Sequence, residues 1–366
     1  MPEPPRIRLI VLFGGQSAEH DVSCVTAAHV LRAIDTDRFD VVPVGITREG
    51  EWVVANDART ALEAGASAIP DRLEPKGEST DFRPALIGTA AGLAPLDPNE
   101  ELVVLPLLHG PRGEDGTVQG LLELLDLPYV GPGVLGSALT MDKAKTKEVL
   151  DRAGIPQARW VTLREHLLTD DTAQEVIDEL GLPVFVKPAN MGSSVGVSKA
   201  NTLDEVRAGI ETALRYDDWL VIEENVEGRE IEIALLGDLE LRCSVPGEIR
   251  PGADFYDYED KYLDGSAELL IPAPLSDHER AELERLAIAA GNALRVEGMA
   301  RADFFLANDG RWICNELNTI PGFTPISMYP QMWQASGLAY TDLITELIDL
   351  ARARHARRSA KRDTGR

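Results

Sequence analysis

The sequence predicts an α/β fold that opens with a parallel sheet and continues into α+β middle and C-terminal parts. Three observations carry this. Residues 7–13 are an apolar, β-branched run entering Gly14-Gly15 and then a helical pattern from about Asp21, the strand–turn–helix opening of an α/β unit. A second such run, 102–108, enters the glycine-rich loop 109–116 and a helix at 117–125. At 366 residues the chain is long for one hydrophobic core, so two or three domains are expected.

Taken in order, the first domain spans 1–140. Its second strand falls at 40–47, and a short strand follows the third at 128–130. Between 55 and 98, Ala, Gly, Pro and acidic residues blur the pattern, as in a surface insertion. The central domain, 141–228, starts with a helix at 142–153 that stops at Gly154, a residue free to adopt the left-handed conformation of a helix end. Strands at 158–163, 183–187 and 219–223 with helices at 172–180 and 203–215 complete it. The C-terminal domain, 229–352, has strands at 230–236 and 240–248 and an aromatic, acidic loop at 255–266. A helix at 277–294, a hairpin at 299–318 and a helix at 341–354 follow. Residues 353–366 are basic and poor in apolar side chains, which predicts a frayed, disordered tail.

The totals exclude some functions. A formal charge of −25 repels nucleic acid and anionic membrane, although a local cationic pocket can still hold a nucleotide. The three cysteines, Cys24, Cys243 and Cys314, show no ligand spacing and suit a reducing cytoplasm. No signal peptide or membrane-length apolar run is visible.

The chemistry concentrates in the hairpin. Asn308-Asp309-Gly310 separates two alternating runs and signals a turn. If Asp309-Gly310 fill a two-residue turn, Asp303 faces Glu316 and Arg301 faces Asn318, all on one side of the ribbon. Ala302, Phe304, Leu306, Ile313 and Leu317 fall on the other side as core. Two opposed carboxylates about 5 Å apart repel unless a cation sits between them. Arg301 is one candidate and a divalent metal is another, since an Asp/Glu/Asn oxygen set suits Mg²⁺ bound with phosphates. A solvated face is the ordinary alternative. Elsewhere, Lys187 ends an apolar strand, and Gly192-Ser193-Ser194-Val195-Gly196 can aim N–H groups at an anion. Glu223 and Glu230 lie at strand ends, where they could meet a ribose or a lysine. Lys143 is one of three lysines on its helix. Glu19, His20 and His109 sit at the strand-end mouth where ligands enter open α/β sheets.

Six motifs then stand in order: Gly14-Gly-Gln-Ser-Ala-Glu-His-Asp-Val-Ser23, His109-Gly-Pro-Arg-Gly-Glu-Asp-Gly-Thr-Val-Gln-Gly120, Met141-Asp-Lys143, Val186-Lys-Pro188 with Gly192-Ser-Ser-Val-Gly196, Asp257-Tyr-Glu-Asp-Lys-Tyr262, and Arg301-Ala-Asp303 with Asn315-Glu-Leu-Asn-Thr-Ile-Pro-Gly-Phe-Thr324. Together they resemble the D-alanine–D-alanine ligases of the ATP-grasp superfamily, over the chain from Ile7 to about Leu350.

The resemblance implies a three-domain ATP-grasp fold and a two-step reaction. ATP phosphorylates one D-alanine, and the amine of a second displaces phosphate. It implies that Lys143 and Lys187 hold ATP phosphates, that Ser194 and Lys261 also bind ATP, and that Glu223 and Glu230 hold the nucleoside. Asp303, Glu316 and Asn318 would carry two Mg²⁺ (Mn²⁺ being a possible substitute), which leaves Arg301 and the Gly322 N–H for the oxyanion. Glu19, linked to Ser193 and Tyr262, would hold the first substrate's ammonium. His109 and Ser327 would lie near substrate carboxylates, with Met328 bordering the second-substrate pocket and 255–262 closing as a lid. A cytoplasmic homodimer serving peptidoglycan precursors is the family's usual form. The alternatives are a ligase that uses D-lactate or D-serine, and a nucleotide-binding regulator without turnover.

Overall fold

The computed structural model describes residues 7–86, 100–250 and 268–363. The expected lid, with Lys261 and Tyr262, lies outside the described residues. The first sheet is built on β1 (Ile7–Gly14), buried at every position as a strand covered on both faces must be. Helix α1 (His20–Ala33) leads to β2 (Phe39–Ile46), then β3 (Trp52–Val54), α2 (Asn56–Glu63), β4 (Glu78–Thr80), α3 (Phe82–Leu86), β5 (Glu101–Pro106) and α4 (Thr117–Leu124). The strand order is β4-β3-β2-β1-β5. Parallel pairing holds for β2, β1 and β5, whereas β3 and β4 add antiparallel edges. The sheet expected to be parallel is therefore mixed. Its antiparallel edge comes partly from the region expected as an insertion, where two three-residue strands are too short to show a period. The strand expected at 128–130 is a single parallel bridge between Val104 and Tyr129.

Helices α5 (Val134–Met141) and α6 (Lys143–Arg152) lead to the second sheet. It contains β6 (Trp160–Arg164), β7 (Val184–Pro188), β8 (Ser198–Ala200) and β9 (Trp219–Glu224), all antiparallel in the order β6-β9-β7-β8. Helices α7 (Thr172–Leu180) and α8 (Leu203–Ala213) pack on one face, against Val184, Val186, Leu220 and Ile222. Because side chains alternate along a strand, Lys187 and Glu223 are left on the opposite face.

The third sheet takes β10 (Gly228–Gly237), β11 (Leu241–Cys243), β12 (Gly247–Arg250), β13 (Glu268–Leu270), β14 (Gly298–Ala307) and β15 (Trp312–Asn318), in the order β13-β12-β10-β14-β15 with β11 beside β10. The strand expected at 240–248 is divided. Pro246, which has no N–H to give a ladder, lies in the break. Helix α9 (Asp277–Ala293) buries Leu283, Leu286 and Ala290 in the same core as Ile231, Ile233, Ala302 and Phe304. The alternate residues Glu230, Glu232, Arg301 and Asp303 therefore face the other way. Helices α10 (Met328–Ala335) and α11 (Tyr340–Asp363) end the fold.

The tail expected to be disordered is instead helical through Asp363. Its arginines find partners rather than solvent. Arg354 is buried, donates to the carbonyls of Tyr129 (2.7 Å) and Gly131, and lies 4.6 Å from the Tyr129 ring centroid. Arg358 pairs with Glu123 at 2.8 Å and Glu297 at 2.6 Å, so α11 fastens the first sheet's connections to the third's. Replacing Arg354 by Met strands two buried carbonyls and lowers stability by about 2–4 kcal/mol. Urea unfolding checks this.

Candidate active site

A cleft of about 420 Å³ opens between the second and third sheets, a volume typical of small-molecule sites. One wall carries Phe185, Lys187 and Glu223, and the other carries Phe305, Ile313, Glu316 and Asn318. Lys143, Glu230, Ser193 and Ser194 complete the lining among the residues singled out in the sequence.

The cationic wall is braced from behind. Lys187 Nζ donates to Glu223 at 2.8 Å, and buried Lys147 reaches the same carboxylate at 3.3 Å. Burial pushes the Glu223 carboxyl's pKa up, but the two lysines outweigh it and bring it from 4.5 to about 2. Burial likewise opposes the Lys187 ammonium, yet Glu223, Glu316 and Glu230 leave its pKa above the usual value. Glu223, expected at the nucleoside, is thus engaged by lysines. Lys147 was missed by sequence reasoning, though its i, i+4 spacing from Lys143 was the available signal. Lys143 Nζ donates to the Met191 carbonyl at 2.5 Å, tying it to the loop after β7. In that loop Ser193 and Ser194 hold φ of +47° and +57°, a strained pair of the kind found at ligand clamps.

The hairpin differs from expectation in an informative way. Its loop has three residues, closed by Ala307 N–H to Arg311 O at 2.9 Å and Gly310 N–H to Ala307 O at 2.8 Å. This shifts the outer register by one, to Phe305↔Ile313 and Phe304↔Cys314. A bulge then restores Asp303↔Glu316 and Arg301↔Asn318. Ile313, expected in the core, consequently turns to the cleft beside Phe305 and gives it an apolar floor. Arg301 is not left free. Its Nε and Nη2 fork onto Asp303 at 2.7 Å each, Nε lies 3.1 Å from Glu232, and Asn318 Nδ2 donates to Asp303 at 2.9 Å.

Two carboxylates and an amide oxygen are the right donors for a hard divalent ion. Among the described residues no group of three or more His, Cys, Asp or Glu could hold a metal. Asp303, Glu316 and Asn318 would therefore share an ion with phosphate oxygens rather than cage it alone.

The N-terminal contribution arrives from beyond the strand ends. Ser193 Oγ donates to Glu19, which is buried. A Cβ at Gly110 or Gly192 would come within 2.6 or 3.0 Å of the Glu19 carboxylate, so these glycines make its room. His20 is structural, bonding the Gly15 carbonyl at 2.7 Å. His109 is buried, with Nδ1 on the Ile320 carbonyl at 2.9 Å and Nε2 without a partner among the described residues. Burial lowers its pKa despite the Glu19 charge, and Nε2 is the ring nitrogen left for a ligand. Gly322 and Ser327 share one turn, where Thr324 N–H donates to Ser327 Oγ at 3.1 Å. Met328, expected to border the second-substrate pocket, is buried beside Gly247 and Met332.

Glu114 was missed because it sits in a loop with no period to read. It lines the cleft and accepts from Gly110 N–H at 2.8 Å and from the Ile320 N–H. Burial, then the Glu19 charge, pushes its pKa from 4.5 up to about 8. A raised native pKa stabilises fully below the ordinary value and loses its effect as pH rises through the native one. Stability from this group therefore declines between pH 4.5 and about 8. Glu114→Gln flattens that dependence, as urea midpoints across the window will show.

Two lysines facing an oxygen-rich sheet face across a nucleotide-sized cleft define a nucleotide-dependent enzyme of the ATP-grasp class. The profiles described as D-ala D-ala ligase N-terminus and C-terminus match residues 8–132 and 149–349. The D-alanine–D-alanine ligase of Bacillus velezensis is 47% identical over 360 residues, covering 96% of this chain and 100% of its own. That of an Arthrobacter species is 49% identical, covering 96% and 95%. Among solved structures, the D-alanine–D-alanine ligase of Coxiella burnetii superposes with a TM-score of 0.79 at 34% identity, covering 98% and 99%. The VanG D-Ala:D-Ser ligase of Enterococcus faecalis also gives 0.79 at 34%, covering 94% and 99%. The chain belongs to the D-alanine–D-alanine ligase family, whose members use ATP and a divalent metal.

Proposed function

We propose that this enzyme joins two D-alanines into D-alanyl-D-alanine through a D-alanyl phosphate, releasing ADP and phosphate. The observation that carries the reading is the meeting, in one cleft, of Lys143 and Lys187 with the Glu316–Asn318 edge of the hairpin. Transfer of a phosphoryl group to a carboxylate needs neutralised charge and alignment, not a protein nucleophile.

Lys143, Lys187 and the Ser194 turn take the phosphates, Glu230 takes the ribose, and Phe305 with Ile313 offers the base an apolar surface. Glu223 holds the two lysines in place and lies at the nucleoside end of the cleft. Asp303, Glu316 and Asn318 would hold the divalent ions, two Mg²⁺ or Mn²⁺ in their place. When bound, these ions neutralise phosphate charge. Glu19, held by Ser193, receives the first D-alanine's ammonium, with Tyr262 assigned to the same centre by sequence and Lys261 to ATP. Arg301 and the Gly322 N–H face the oxyanion of the tetrahedral step. His109 and Ser327 meet the substrate carboxylates. The enzyme works as a cytoplasmic homodimer making peptidoglycan precursors, and the domains are those drawn from the sequence, with the C-terminal one extended through α11.

The likeness to a D-Ala:D-Ser ligase makes D-serine the second reading for the acceptor. Identities of 47% and 49% to two D-alanine–D-alanine ligases favour the plain dipeptide. Phosphate release measured side by side with D-alanine, L-alanine, D-serine and D-lactate decides. D-alanine alone is expected to sustain turnover. A requirement for D-serine or D-lactate would move the assignment, and ADP release indifferent to D-alanine would make the chain a regulator.

A further inference from the structure

Glu232 lies mid-strand in β10 with 2% exposure, directly across from Asp303 on β14, which faces Glu316 on β15. Three carboxylates thus stand in one row across adjacent strands, a spacing at which like charges oppose folding. They do not converge as a metal cage, since no such group of three could hold an ion among the described residues. Arg301 answers two of them at once: its fork is on Asp303 at 2.7 Å, and its Nε is 3.1 Å from Glu232. The single Nε–H points at Asp303, and Glu232 is held beside the same nitrogen as an ion pair. Asp303, however, is claimed twice. Its two oxygens already receive Arg301, and one also receives Asn318 at 2.9 Å, so three of its roughly four lone-pair sites are taken and a divalent ion competes with the arginine for the carboxylate.

We propose that Glu232 is the positioning residue for Arg301, the anchor that keeps the guanidinium at the reaction centre when Asp303 turns to the ion. The inference rests on the metal assignment above. Glu232 touches neither substrate nor ion and acts through Arg301. Without it, Arg301 has Asp303 as its remaining carboxylate anchor in the pair, and holds it against the metal.

The test is a Mn²⁺ titration of the whole enzyme with ADP present, followed by loss of the free-ion paramagnetic signal. Glu232→Gln weakens Mn²⁺ binding roughly tenfold, the scale of outer contacts to metal ligands. Arg301→Met tightens it, and does so more strongly in the Glu232→Gln background than in wild type, because there the arginine is locked on Asp303. At saturating Mg²⁺, kcat of Glu232→Gln falls about 10–100-fold with KM for ATP little changed. A purely structural role predicts equal gains from Arg301→Met in both backgrounds, and that result, or an unaltered titration for Glu232→Gln, overturns the proposal. Should Glu232→Gln not fold, Glu232→Asp keeps the charge with a shorter reach and must show the same inequality. Glu316→Gln separates the two levels. If it binds Mn²⁺ like wild type, the metal assignment itself fails. If it loses Mn²⁺ while the Arg301 gains are equal, only the role of Glu232 fails.

Discussion

Glu316→Gln lowers kcat about 10²–10³-fold and leaves the melting temperature little changed. The two halves of this expectation come from the same geometry. Glu316 faces Asp303 across the ladder, a repulsion, but it also supports the buried Lys143, Lys187 and Arg301 charges, so the two effects offset when it is removed. The glutamine keeps the side chain's length and its place at the cleft. What disappears is the anionic oxygen that would hold the ions. A variant near wild-type turnover would show that the hairpin face is merely an acidic surface neutralised by Arg301.

Glu223→Gln is expected to cost about 3–5 kcal/mol, the usual penalty for removing one partner from a buried ionic set. Lys147 has 2% of its side chain exposed and Lys187 14%, so neither can turn to water for compensation. The sign of the pH dependence follows from a carboxyl depressed from 4.5 to about 2. Its stabilisation is present above pH 4.5 and is lost as pH falls through about 2. Wild type therefore loses stability on acidification through that window, whereas Glu223→Gln has already lost this contribution. KM for ATP rises as well, because Lys187 is no longer aimed along its strand. Urea unfolding at neutral and acid pH, with ATP-dependent kinetics, checks each part. A variant within about 1 kcal/mol of wild type would mean the lysines are held by something other than Glu223.

The hairpin shows how much of the site could be read in advance. Alternation and the Asn-Asp-Gly turn placed Asp303 opposite Glu316 and Arg301 opposite Asn318, as the structure does. The path there was different. A three-residue loop shifts the register by one and a bulge shifts it back, so two one-residue departures cancel at the site. Ile313 lies between them and ended on the wrong face. A turn signal alone does not distinguish loops of two and three residues. Lys147 and Glu232 carried usable signals, the helical spacing from Lys143 and the strand alternation from Glu230. Glu114 and the His109 contact with Ile320 carried none, because loops meet through tertiary packing. Helix α11 was cut short for a physical reason too: beyond Ala351 its inward positions are Arg354 and Arg358, paired with carbonyls and acids, which a hydrophobic pattern cannot register.

The central claim is that the cleft transfers a phosphoryl group to a substrate carboxylate before the peptide bond forms. The most direct measurement uses D-alanine labelled with ¹⁸O in its carboxylate, with ATP and Mg²⁺, and mass analysis of the phosphate released. The account predicts phosphate carrying one labelled oxygen from D-alanine for each dipeptide made. Unlabelled phosphate, with dipeptide still formed, would contradict it.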